Sequence, residues 1–283
     1  MTDPNKNQKK FDLIKRGERT PTPWGTVTFI GLRALDLPLQ HALLRPGGLG
    51  TSLLSRVGLT PALPVAVSVL RTGLPLIDSL GHPSNVILFL MACGSTLKQI
   101  YWQTSLSFES FPVSAASAVS VYNTFVNSVN TFLFLTFTTT SLRSSPTLTI
   151  PLPFLSTPNS TITLPLSTVV GTILYITGLT LETTAERQRK AFKNRPENQG
   201  KVCKVGVWSW ARHINYFGYS LWRGGYAMVG AGWTAGLIVG LGQMWDLSSR
   251  AVSVLDEYCS NRYGAQWVQF KKDVPYKIIP GIY

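Results

Sequence analysis

Acidic side chains are scarce in this chain: 13 Asp and Glu stand against 26 Lys and Arg, and charged residues make up only 14% of 283 positions. A water-soluble domain carries about a quarter charged residues, so the deficit argues against one. Cysteine is scarce too. Cys93, Cys203 and Cys259 are odd in number and lack metal-like spacing, which excludes a disulfide framework and a zinc site; no metal is expected. No Gly-x-Gly-x-x-Gly lies in a strand-turn-helix setting, so no soluble dinucleotide-binding domain is hidden here, and "GAGWTAG" is not a phosphate loop. Residues 1–23 lack the apolar stretch of a signal peptide. Asp3, Asp12 and Glu18 argue against a mitochondrial presequence, so 1–23 reads as a disordered basic tail.

What is present is a net charge of +13. Its basic residues are confined to certain stretches separated by long uncharged ones, a pattern that points away from nucleic acid and towards a membrane. Ser110 to Leu142 has no charge over 33 positions, Ser144 to Leu181 none over 38, and Gly224 to Trp245 none over 22. A membrane-crossing helix needs about 20 mostly apolar residues. The second stretch opens with Pro- and Thr-rich sequence, so its span is placed late, at Leu164 to Leu181, after a loop. In the first, Asn123, Asn127 and Asn130 share one helical face, which would look into a bundle because hydrocarbon offers amides no partner. Upstream, "TPALPVAVSVL" and "SNVILFLMACGSTL" are cut short by Arg71 and Lys98, and "WGTVTFIGLRALDLPLQHALL" carries Arg33 and Asp36, so it is an interfacial helix or a poor span. The expected fold is all-α: a multi-pass transmembrane helical bundle with a cytosolic-side cofactor pocket. Residues 24–283 form one membrane domain, with N-terminal helices over 24–181 and a cofactor-binding half over 182–283.

From Arg187 to Arg223 there are nine Lys or Arg and one acid, Glu197. Short basic loops stay cytoplasmic. A single span over Gly224 to Trp245 would carry the basic C-terminal tail to the other side, so this stretch with its seven glycines is expected to fold as a helical hairpin or re-entrant pair. The sequon at Asn159 would then be lumenal.

The basic segment starts as a helix that should stop at Asn194 or Arg195, because Pro196 follows. A second helix is expected from near Trp208. On it Arg212, Asn215, Tyr216, Tyr219 and Arg223 form one stripe. Such a stripe beside a membrane is costly to bury without a partner, and a phosphate-bearing ligand would satisfy it; an aromatic belt with snorkelling arginines is the alternative. Asp246 can cap a helix running to Gly264. Asp256 and Glu257, far from that helix's N-terminus, should face cations from Arg212 or 187–193, or else form a solvated face.

Taken together, "ERQRKAFKNRPENQGK", "GVWSWARHINYFG" and "LDEYCSNRYGAQWVQFKKDVPYKIIPGIY" resemble the C-terminal half of the steroid 5-alpha-reductase and sterol reductase superfamily, related to the isoprenylcysteine carboxyl methyltransferases. Three ordered motifs span about 100 residues; the first 180 match only in being helical and apolar. The resemblance implies an endoplasmic-reticulum membrane enzyme, with mitochondria as the alternative location, that binds NADPH and delivers hydride to a carbon-carbon double bond of a lipid substrate. It implies that Arg189, Lys193, Arg212, His213, Asn215 and Tyr216 cradle the cofactor, that Asp256, Glu257, Arg262 and Tyr263 close the pocket, and that Tyr216 or Tyr219 donates the proton. One departure leaves three readings open. The reductases carry an acid at the position of Tyr219, so the chain is a reductase with altered chemistry, an S-adenosylmethionine-dependent methyltransferase, or a relative that kept the fold without activity.

Overall fold

The computed structural model describes residues 20–61, 72–136, 144–151 and 161–283. Arg71, Asn159 and most of the tail expected over 1–23 lie outside them. From residue 20 the chain is tied down: the Thr20 amide and hydroxyl bond to Ser110 Oγ, and Thr22 Oγ1 accepts from the Phe111 amide. Pro23, its φ already helical, opens α1 (Pro23–Leu44). After the short α2 (Leu49–Arg56) come α3 (Pro83–Tyr101), started by Pro83 and capped by His82, a π turn over Trp102–Leu106, and α4 (Val113–Thr136).

Strands β1 (Thr147–Pro151) and β2 (Thr161–Pro165) pair antiparallel with Thr147 opposite Pro165. The ribbon is the one departure from the expected helices among the described residues, which are otherwise mostly helical. "TLTIP" and "TITLP" alternate at period 2, with Thr149 and Thr163 hydrogen-bonded across the ribbon; β-branched residues suit a half-exposed strand. The flanking prolines had made the stretch read as a loop. Leu164 accordingly belongs to β2, and α5 (Leu166–Asn194) starts two residues later. It stops ahead of Pro196, as expected.

The next helix, α6 (Ile214–Asp246), begins six residues later than the sequence suggested. The backbone before it is committed elsewhere, since the Arg212 and His213 amides donate to Tyr276 O and Lys277 O near the end of the chain. Within α6, Gly232 has φ 82° and ψ −170°, a region open essentially to glycine alone. The chain reverses there. A Cβ on Gly224 would stand 2.9 Å from Gly240 Cα, and one on Gly236 would stand 2.5 Å from Met228 Cβ. The glycine-rich stretch is therefore a helical hairpin, as the charge pattern around it predicts. Past Asp246 the helix continues through a π turn over Leu247–Ala251 into α7 (Val252–Tyr263), which Gly264 ends, followed by α8 (Ala265–Asp273). Asp246 lies inside this continuous run and bonds Arg250 one turn on instead of capping.

The most extensive helix pair is α5 against the first arm of α6. Gly171 meets Gly225 and Gly178 meets Gly218, each within 2.8 Å of where the partner's Cβ would lie. Two glycines seven residues apart on each antiparallel helix bring the backbones into contact. Around this pair, Leu88, Phe89, Met91, Tyr175, Trp222 and Tyr226 form the principal core, with Tyr175 Oη donating to Met91 O at 2.6 Å.

Among the described residues, two helices are long and apolar enough to cross a membrane, Leu166–Asn194 and the run Ile214–Tyr263, the latter folded back at Gly232. The 24-residue α4 has the length, but its Asn, Ser and Thr keep it out of that class.

Candidate functional site

The reversal at Gly232 brings the C-terminal segment back to the residues between α5 and α6. Arg212 Nη1 donates to Val274 O at 2.6 Å and Pro275 O at 2.9 Å. Lys193 Nζ donates to Tyr263 Oη at 2.9 Å and stands over that ring. Three parts of the chain expected to share a pocket, α5's basic end, the 206–216 turn and α7, therefore meet.

The meeting is organised around a residue that sequence reasoning left out. Glu186 on α5 is buried. Its Oε2 accepts from Arg189 Nη2 at 2.5 Å and its Oε1 from Asn215 Nδ2 at 3.1 Å. A buried carboxylate needs such partners. Arg189 in turn lies over the Trp208 ring, whose Nε1 donates to Ala185 O at 2.7 Å. Ala185, Cys203, Val207, Trp208, Ala211 and Ile214 pack beneath, and burial pushes the Cys203 thiol up from its ordinary value.

The other expected residues fall into two sets. His213 is buried and its ring stacks on Tyr216 with centroids 5.4 Å apart and planes 10° from parallel. Asn215 and Tyr216 thus point to neighbouring sides of the cluster. Tyr219 faces inward, away from it: its Oη accepts from Arg223 Nε at 3.0 Å. Arg212 precedes the helix, so the five-residue stripe is not a stripe in space. Asp256 takes Trp267 Nε1 at 2.7 Å and Lys271 at 3.3 Å, a local clamp between α7 and α8. Glu257 is exposed, and exposed Arg262 donates to Tyr258 Oη at 2.8 Å within its own helix. Neither is brought into the cluster.

Deeper in the bundle lies a polar interior that the sequence only hinted at. Arg33 and Asp36 of α1 are buried and paired at 3.0 Å. Asp36 also receives Gln40 at 3.0 Å and Asn127 at 2.7 Å, and Arg33 reaches Thr96 at 2.9 Å. One turn before Asn127, Asn123 Oδ1 accepts from Gln99 at 2.8 Å and from Arg223 at 2.5 Å. Lys98 pairs with Glu182, which also receives Trp222 Nε1 at 2.7 Å. The inward asparagine face was legible. The Arg33–Asp36 pair that faces it reads in sequence as the mark of an interfacial helix or a poor span; a charged pair three residues apart in an apolar helix is the available signal.

Chemically, the cluster at the end of α5 offers one buried carboxylate, an amide, a stacked imidazole–phenol pair and cations already engaged by acceptors. The carboxylate already accepts on both oxygens, whereas Arg189 and Arg212 each use one terminal nitrogen and keep guanidinium donors in reserve.

Comparison with known proteins agrees with the motifs. Residues 118–266, more than half of the chain, match the profile of the family described as protein of unknown function DUF1295. A probable O-methyltransferase, ustE, of Ustilaginoidea virens is 31% identical over 256 residues, covering 90% of this chain and 84% of the relative. A Delta(14)-sterol reductase of Neurospora crassa is 28% identical over 159 residues, 40% of this chain and 32% of that one. A protein-S-isoprenylcysteine O-methyltransferase of Saccharomyces cerevisiae is 25% identical over 112 residues, 38% of this chain and 46% of the relative. The chain belongs to the DUF1295 family, within the steroid 5-alpha-reductase-like superfamily to which its three C-terminal motifs pointed.

Proposed function

We propose that the protein is a multi-pass membrane enzyme of the endoplasmic reticulum, with its cofactor pocket on the cytosolic side, that transfers a methyl group from S-adenosylmethionine to an oxygen of a lipid-soluble acceptor. The observation that carries this is Glu186, a buried carboxylate at the centre of the motif cluster with Arg189 and Asn215 bonded to it. The cations around it already have protein partners: Arg212 Nη1 donates to two backbone carbonyls, Lys193 to Tyr263 and Lys201 O, and Arg189 Nη2 to Glu186. S-Adenosylmethionine carries a net positive charge and supplies an electrophilic methyl. Glu186 and Asn215 would hold its polar groups, with His213 and Tyr216 beside them as the stacked ring pair. The O-methyltransferase relative, matched along most of both chains, supports the same reading.

Membrane embedding is supported by an inside-out distribution of polarity. Leu97, Val121, Phe125 and Ile238 are each 64–67% exposed, while Arg33, Asp36 and Asn127 are at most 2% exposed. Water would favour the reverse; hydrocarbon favours this.

A second reading, an NADPH-dependent reductase of a lipid double bond, is favoured by the sterol reductase match and by the Arg212-His213-x-Asn215-Tyr216-x-Gly218 element. Equilibrium binding to detergent-purified protein separates the two. Labelled S-adenosylmethionine should bind saturably, without displacement by NADPH, and Glu186→Gln should weaken it about tenfold or more. Saturable NADPH binding that S-adenosylmethionine does not compete would overturn the methyltransferase reading.

A further inference from the structure

Among the described residues, the interior between α1, α3, α4 and the first arm of α6 carries an excess positive charge. Arg33 and Arg223 are 0% and 3% exposed. Asp36 is the carboxylate that faces them, and it is bonded to Arg33, Gln40 and Asn127. The Lys98–Glu182 pair beside them is neutral. Two guanidiniums against one carboxylate leave one charge over. The two cations are near enough to repel each other electrostatically.

Arg223 is held by neutral groups. Its Nε donates to Tyr219 Oη and its Nη2 to Asn123 Oδ1. The rings of Trp222, Tyr219 and Tyr122 surround its Cζ at 4.3, 5.2 and 5.5 Å. Ring faces attract a cation but give an N–H no lone pair in line. Arg223 Nη1 and Arg33 Nε are buried with no hydrogen-bond acceptor, and Ser120 Oγ, one turn before Asn123, has no partner either. A buried ionised group without a counter-ion is among the most costly arrangements in a protein interior, and orphaned charged donors call for an acceptor.

On the bundle's outer face a groove of about 270 Å³ is lined by Leu32, Ser120, Val121, Thr124 and Phe125. Ser120, whose hydroxyl is orphaned, belongs to this lining and lies one turn before Asn123, which holds Arg223.

We infer that Arg223 and Arg33 form a binding site for the carboxylate of an amphipathic acid whose apolar body lies along the α1–α4 groove. A monoanion balances the single excess charge. A planar carboxylate presents two oxygens to guanidinium donors, and the apolar groove excludes a wholly polar anion. The site needs neither methyl donor nor nicotinamide, so it stands or falls apart from the reading of the cofactor cluster.

The test uses the full-length chain in detergent with no cofactor added, titrated with oleate, oleyl alcohol and oleyl phosphate. Quenching of tryptophan emission is a suitable readout, because Trp222 lies against Arg223. Oleate should bind at least about tenfold more tightly than the alcohol, and Arg223→Gln should remove that preference. Asn123→Asp places a carboxylate beside Arg223 from within the chain; it should raise the melting temperature of the free protein and abolish the preference for oleate. Equal binding of acid and alcohol by the wild type overturns the proposal, and this comparison decides it even where Arg223→Gln does not accumulate. Tighter binding of oleyl phosphate, which marks a dianion site, or unchanged oleate binding by Asn123→Asp, overturns it as well.

Discussion

The Asn215 side-chain amide donates to Glu186 across 3.1 Å, joining the first turn of α6 to the polar end of α5. This bond fixes how far the 206–213 turn can move from α5. It also gathers the cluster, because Glu186 is the buried carboxylate that both Arg189 and Asn215 reach. Glu186→Gln keeps the shape and removes the charge. The variant should fold, lose about 1–3 kcal/mol of stability from the weakened bond to Arg189, and, on the proposed function, lose methyl transfer to a greater extent than Arg189→Lys. Melting temperature and radiolabelled methyl incorporation measure the two effects.

Gly225 backs onto Gly171 so closely that a Cβ would lie 2.4 Å from the Gly171 carbonyl oxygen and 2.6 Å from the Tyr175 amide. Backbone atoms cannot step aside as a flexible side chain can. Gly225→Val should force α5 and α6 apart at a cost of about 3 kcal/mol or more. Gly242→Ala, with open space around it, should be tolerated. The contrast between the two melting temperatures checks the direct helix contact.

Gly232→Ala tests the hairpin. At φ 82° and ψ −170° an L side chain is strained, at a cost of about 1–3 kcal/mol. The melting temperature of Gly232→Ala should therefore fall below that of the parent chain. A single straight helix over 214–246 would instead gain about 0.5–1 kcal/mol from the alanine.

Arg212 anchors the end of the chain by donating to Val274 O and Pro275 O. Arg212→Ala leaves two carbonyls without that charged donor, a loss of about 1.5–3 kcal/mol for the docked segment. Limited proteolysis should cut after Asp273 markedly faster in the variant, while α5 and α6 stay protected. Equal cleavage rates would show that the backbone bonds from the Arg212 and His213 amides suffice.

Cys203 packs under Trp208 and Ala185, and burial holds its thiol above the ordinary value, so at neutral pH little thiolate is present. Maleimide labelling of Cys203 should be slow, should accelerate as pH rises, and should reach the rate of a free thiol only on unfolding. Fast labelling at neutral pH would mean that the 201–205 loop is not docked as described.

Several features were legible along the chain because they are local. Pro196 ends α5, Gly264 ends α7, and Asn123 and Asn127 share a buried face, each following from backbone sterics or helical period alone. The hairpin within Gly224 to Trp245 was legible too, from charge: a basic tail and a basic loop separated by one span could not both stay on one side. What the sequence alone could not settle was which charges find each other. Arg223 sat on a stripe with Arg212, yet one is buried against Asn123 and the other is held by carbonyls 62 and 63 residues away. Glu186 and the Arg33–Asp36 pair look in sequence like ordinary solvated or misplaced charges; only the approach of α5, α6 and α4, set by glycine contacts and the reversal at Gly232, encloses them. Periodicity and punctuation act over a few residues and determine the helices, whereas the desolvation that gives a charge its chemical role depends on neighbours brought in from the rest of the fold.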